Sequence, residues 1–189
     1  MGELQPAFPK PTKREKTPKP LRSRKPMRKA PPKRIAERVA DRPYLAWLAQ
    51  QACVVTGAFR GGGVVIELNH CGIKPGIALK CSDLETLPME RAVHAQWTEY
   101  SGRFKAWTRD QRREWADARI VEHLDRFVSW VPERLAELHD ELLTYADALT
   151  DEEREIGADI SKQILALKVC RDRAAAKRDD VVARIGAEA

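Results

Sequence analysis

The stretch Val64-Val65-Ile66-Glu67-Leu68-Asn69-His70, followed by Leu84-Glu85-Thr86-Leu87-Pro88 and then by His94, decides the fold. Residues 64–69 form an apolar run suited to a strand. Residues 84–88 make a second short strand that ends at its proline, and residues 89–100 have helical character. A loop containing Gly72, Pro75 and Gly76 lies between the two runs. Strand, loop, strand, helix is a ββα arrangement. It can bring a histidine at the end of one strand, His70, next to a histidine on the following helix, His94. A divalent metal held there would bind a scissile phosphate and stabilise the leaving oxygen. A neutral imidazole alongside could take a proton from water, because its pKa lies close to neutrality.

Ordinary roles compete with that chemistry. Two histidines 24 positions apart suit structural or solvated positions as well as a site. Asn69 and Asp83 are common turn residues, and Cys71 and Cys81 suit small buried positions. The four cysteines (Cys53, Cys71, Cys81 and Cys170) contain no C-x-x-C pair. In a cytoplasmic chain they are not expected to form a disulfide framework.

Outward from this centre, residues 35–51 read as helical, with Ile35, Val39, Leu45 and Leu48 apolar and a helix-starting Pro43. Residues 52–57 read as a short strand or knuckle, and Gly61-Gly62-Gly63 as a flexible turn. Towards the C-terminus the pattern is helical. Thr108-x-x-Gln111 and Thr150-x-x-Glu153 are capping boxes. Trp115, Ile120, Leu124, Phe127 and Val128 recur at helical spacing, and Pro132 suits the first position of a further helix carrying Leu135, Leu138, Leu142 and Tyr145. Ile156, Ile160, Ile164, Leu167, Ala174, Val181 and Ile185 line one face of the last helix. The last two helices are expected to form an antiparallel hairpin, or the final one to pair with a second copy in a homo-oligomer.

Charge is distributed unevenly. The chain of 189 residues has a formal net charge of +6, yet residues 1–34 hold twelve Lys and Arg against Glu3 and Glu15. The rest of the chain is therefore net acidic. Residues 1–34 also contain eight prolines, a composition that cannot bury enough surface to offset the entropy of ordering it. A disordered basic tail is expected. Its Lys13, Arg14, Arg22, Arg24, Lys25, Arg28, Lys29, Lys33 and Arg34 suit phosphate contacts that release counterions regardless of base sequence. A solubilising tail or a targeting signal is the plainer alternative. No run approaches the roughly 18 apolar residues of a membrane helix. Prolines stand where a signal peptide would place an apolar run, so a cytoplasmic location is expected.

Several blocks together resemble phage-type HNH endonucleases, nearest to the Ref-like, recombination-enhancement group. They are Tyr44-Leu45-Ala46-Trp47-Leu48 running on to Cys53-Val54-Val55-Thr56-Gly57, then Glu67-Leu68-Asn69-His70, then Gly76 through Lys80-Cys81-Ser82-Asp83, then Leu87-Pro88 and His94. The likeness spans about residues 40–105. It implies that Asn69 and His94 hold a divalent metal, Mg²⁺ or Mn²⁺, that His70 is the general base, that Asp83 orients it, and that Lys80 lies near a phosphate. It also implies DNA as the partner, with a recombinase filament as a further one. Family members usually carry a zinc knuckle. Here Cys53 remains, but the other ligand positions are Thr56, Glu90 and Val93, so no structural zinc is expected. A histidine common one turn after His94 is Thr98.

The fold expected is mainly α with a small embedded ββα-metal unit. Its divisions are a tail at 1–34, an HNH-like domain with a leading helix at 35–105, and a helical region at 106–189. The leading function is a metal-dependent DNA endonuclease. The alternatives are a non-catalytic DNA-binding accessory protein on a decayed HNH scaffold, or a helical assembly protein acting through residues 132–189.

Overall fold

The computed structural model describes residues 40–72, 80–148 and 150–188. The tail residues named above, and the loop glycine Gly76, lie outside them. All described residues fall within one unit, Pro32–Ala189.

The first helix, α1 (Arg42–Leu48), carries Pro43 in its first turn and buries Tyr44, Trp47 and Leu48. Asp41 caps it without a side-chain bond to the helix. Its carboxylate is engaged instead by Arg173, at 2.8 and 3.2 Å. Residues 52–57, read as a strand or knuckle, form turns. Cys53 N–H donates to the Ala58 carbonyl at 2.8 Å and Gly57 N–H to the Cys53 carbonyl at 2.9 Å.

The strand β1 (Ile66–His70) pairs antiparallel with β2 (Thr86–Glu90), Glu67 opposite Met89 and Asn69 opposite Leu87. The second strand thus begins two residues later than its apolar pattern predicts. The reason is local: Ser82 and Glu85 form a capping box that winds Asp83–Glu85 into a 3₁₀ turn. Pro88 sits inside β2 opposite Leu68 rather than ending it. Its carbonyl faces away from β1 and accepts from Val54 N–H at 2.9 Å. The position lacking an N–H therefore costs no ladder bond. The next helix, α2 (Arg91–Glu99), follows β2 without a loop and ends at Tyr100, whose φ of 56° is left-handed. The expected order of strand, strand and helix is present.

A long helix, α3 (Arg109–Leu143), opens at the Thr108–Gln111 capping box and runs unbroken through Pro132. The separate helix expected to start at Pro132 does not exist. An interior proline removes one helical bond, and the continuous stripe Ile120, Leu124, Phe127, Val131, Leu135 and Leu138 outweighs that loss by burying on both sides of it. The last helix, α4 (Asp151–Glu188), opens at Thr150, which exchanges bonds of 2.9 and 3.2 Å with Glu153. Arg178 of α4 meets Asp125 and Arg184 meets Asp117. The numbers rise along α4 as they fall along α3, so the two form the antiparallel hairpin expected. Its apolar seam is shorter than its sequence pattern: Ile160, Ile164, Leu167, Ala174 and Val181 are buried, while Ile156 and Ile185 are 38% and 39% exposed.

The hairpin, α1 and the sheet share one core. Phe127 of α3 packs edge-on against Tyr44 (5.2 Å between ring centroids, 83°) and Trp47 (5.4 Å) of α1. Among the described residues, no helix is long and apolar enough to cross a membrane.

Candidate functional site

Side chains alternate between the two faces of a strand, so β1 sorts its polar residues. Glu67 and Asn69 point to one face, and Leu68 and His70 to the other. Each histidine of the sequence reading meets its own carboxylate.

At the end of β1, His70 Nε2 lies 2.8 Å from Asp83 Oδ1. His70 is 24% exposed at its side chain and Asp83 10%. A carboxylate only accepts, so Nε2 carries the hydrogen, and in the neutral ring the lone pair is on Nδ1. Backbone and side-chain bonds hold this corner. Cys71 N–H donates to the Glu85 carbonyl at 2.9 Å, and Ser82 N–H to the Glu85 carboxylate at 3.2 Å. Gly72 is required here by close approach, since a Cβ would meet the Glu85 side chain at 2.4 Å.

On the other face, His94 Nδ1 lies 2.8 Å from Glu67 Oε2, and Arg91 Nε donates to Glu67 Oε1 at 2.8 Å. The Arg91 guanidinium and the His94 ring hold the Glu67 carboxyl below its ordinary pKa. The same logic leaves the lone pair of His94 on Nε2. Asn69 is 7% exposed, and its Nδ2 contacts Met89 Sδ at 3.3 Å. No described residue bonds its Oδ1. An amide oxygen suits a hard divalent cation, and an imidazole nitrogen suits a borderline first-row transition metal. Among the described residues, no group of three His, Cys, Asp or Glu is placed to hold a metal, and the hydrogen bonds of Asn69 and His94 go to Met89 and Glu67 respectively.

The structure brings His70 to Asp83 and places Asn69 and His94 on the helix-facing side of β1. It shows no contact between the two imidazoles. Lys80 is exposed, beside the segment outside the described residues. Cys53, Thr56 and Glu90 are joined by hydrogen bonds, and Val93 is buried in the core. Cys53 Sγ accepts from Glu90 N–H at 3.2 Å, and Thr56 Oγ1 donates to Glu90 Oε2 at 3.3 Å. Burial raises the Cys53 thiol pKa, but the bonds from Thr56, Glu90 and Val55 outweigh it, and the net shift is downward. Cys81 is the contrary case: burial pushes its thiol up to about 11.

The contact that sequence reading gives no role is Glu67. Its signal is present: Glu67 lies two residues before Asn69, on the same strand face, and Arg91 and His94 are three apart on α2. Comparison of the chain with known protein families, with curated proteins and with solved structures finds no match.

Proposed function

We propose that this chain is a metal-dependent DNA endonuclease of the HNH type, hydrolysing phosphodiester bonds in recombination or replication intermediates. The observation that carries this reading is the His70–Asp83 pair, 2.8 Å apart, at the end of a strand whose hairpin leads directly into the helix bearing His94. His70 accepts the proton of an attacking water at Nδ1, and Asp83, bonded to Nε2, stabilises the imidazolium that results. A bound Mg²⁺ or Mn²⁺ would polarise the phosphate and stabilise the leaving oxygen. Asn69 Oδ1 and His94 Nε2 would hold it. The adjacent positions Asn69 and His70 divide the two roles between opposite faces of β1, so the phosphodiester would lie across the strand's end. Lys80 and the basic tail would supply phosphate contacts. A phage origin, a cytoplasmic setting and a recombinase filament as partner belong to the same reading.

The experiment is cleavage of supercoiled plasmid by the full chain with Mg²⁺ or Mn²⁺. Wild-type protein is expected to nick or linearise it, and His94→Ala to abolish the metal-dependent product. Cleavage that survives His94→Ala unchanged overturns the assignment. Removal of residues 1–34 is expected to weaken DNA binding and to flatten its dependence on salt concentration, by about 0.9 in log–log slope for each phosphate that the tail neutralises. A slope identical to that of the full chain overturns the tail's electrostatic role.

A second reading is a DNA-binding accessory protein that no longer cleaves. That no group of three metal-ligating side chains stands among the described residues favours it. DNA binding with no product under any divalent metal would establish that reading in place of the first.

A further inference from the structure

We propose that Glu67 is a positioning residue: it fixes the ring of His94 so that Nε2, and not Nδ1, is presented for binding a divalent cation. The proposal rests on the endonuclease reading for its consequence, and on the geometry of β1 and α2 for its substance.

The two carboxylate oxygens of Glu67 do different work. Oε1 takes the Arg91 Nε–H bond and Oε2 takes the His94 bond, both at 2.8 Å. Arg91 therefore clamps the carboxylate from one side and leaves the other oxygen aimed at the ring. The clamp sits on a rigid base. Glu67 is held in register opposite Met89, Arg91 N–H donates to the Val65 carbonyl at 3.0 Å, and Glu90 is both the last residue of β2 and the N-cap of α2. No loop intervenes between the strand and the helix bearing His94.

An imidazole without such a partner has two tautomers and can turn its ring over, so either nitrogen can face outward. A carboxylate at Nδ1 removes that freedom. It selects the Nδ1–H tautomer and fixes the ring's orientation, the part a carboxylate plays behind metal-binding histidines in general. Glu67 is not itself proposed as a ligand, because both of its oxygens are engaged. A simple surface ion pair with Arg91 would use the carboxylate without any effect on the imidazole, and this difference makes the two roles separable. Glu67 and His94 are each 31% exposed at the side chain. Their bond is therefore worth little to stability, and the Glu67 variants are expected to fold.

The test uses the full chain, with ¹⁵N-resolved NMR of the neutral His94 ring and titration with Mn²⁺ alone. Wild-type His94 is expected to be the Nδ1–H tautomer. In Glu67→Ala the tautomers mix and Mn²⁺ binding weakens about 10- to 100-fold. Glu67→Gln, whose amide oxygen still accepts from Nδ1–H, restores the tautomer and most of the affinity. An unchanged tautomer in Glu67→Ala overturns the proposal, even if the wild type binds Mn²⁺ and cleaves DNA. A wild type that binds no Mn²⁺, but whose tautomer responds to Glu67→Ala, overturns the endonuclease reading and leaves the orienting role of Glu67 standing.

Discussion

Replacing His70 with alanine is expected to lower the rate of metal-dependent DNA cleavage about 100- to 10,000-fold, the range attributed to a positioned general base. The prediction follows from protonation states. With Asp83 Oδ1 2.8 Å from Nε2, the lone pair of His70 lies on Nδ1, where a water proton can be received. Asp83 is 10% exposed at its side chain, and its bond fixes the orientation of the ring. Asp83→Ala should therefore also slow cleavage, by less than His70→Ala, because the base survives but loses its orientation. Single-turnover cleavage at saturating protein separates this loss from any change in DNA affinity, which His70→Ala should leave nearly unchanged. Cleavage at the wild-type rate by His70→Ala would remove the imidazole from the mechanism.

How far this site can be read from sequence depends on how local its causes are. The strand ending at His70, the helix carrying His94, and the boxes at Thr108 and Thr150 follow from short-range patterns, and the structure contains them all. The second strand is displaced because the bond from Ser82 N–H to the Glu85 carboxylate helps wind Asp83–Glu85 into a turn, which takes Leu84 and Glu85 out of the strand expected at 84–88. Pro132 misleads for the opposite reason. A local rule stops a helix there, and a long-range one, the burial of Phe127, Val131 and Leu135 along one seam, carries it through. Arg173 with Asp41, 132 positions apart, and Arg184 with Asp117, 67 apart, leave no periodic signal. Each is one charged residue among many until the fold brings them together.

Those distant pairs carry the largest stability effect expected. Arg184→Ala should destabilise the chain by about 1–3 kcal/mol, the cost of leaving buried hydrogen-bond acceptors without their donor. Arg184 Nη2 donates to Asp117 Oδ1 at 2.5 Å, Nε to Asp117 Oδ2 at 2.9 Å, and Nη1 to Glu85 Oε1 at 3.2 Å. The side chains of Asp117 and Glu85 are only 3% and 4% exposed. Burial lowers the pKa of Arg184, but the two carboxylates outweigh it and hold the pKa above its ordinary value. Without the guanidinium, Asp117 keeps Arg113 at 3.9 Å, and Glu85 keeps Lys177 at 3.3 Å as a cationic partner. Arg178→Ala is the matched control. Its pair with Asp125 is 32% and 52% exposed, and such pairs contribute at most about 1 kcal/mol. Urea unfolding of both variants decides the matter, and equal losses would show that burial of the Arg184 network contributes nothing special. The same network reaches the candidate site. Glu85 accepts from Arg184 on one oxygen and from Ser82 N–H on the other, and Ser82 precedes the Asp83 that meets His70. Arg184→Ala should therefore slow cleavage even at temperatures where the variant is fully folded, although the bonds of Arg184 itself go to Asp117 and Glu85 and reach the His70–Asp83 pair only through Ser82.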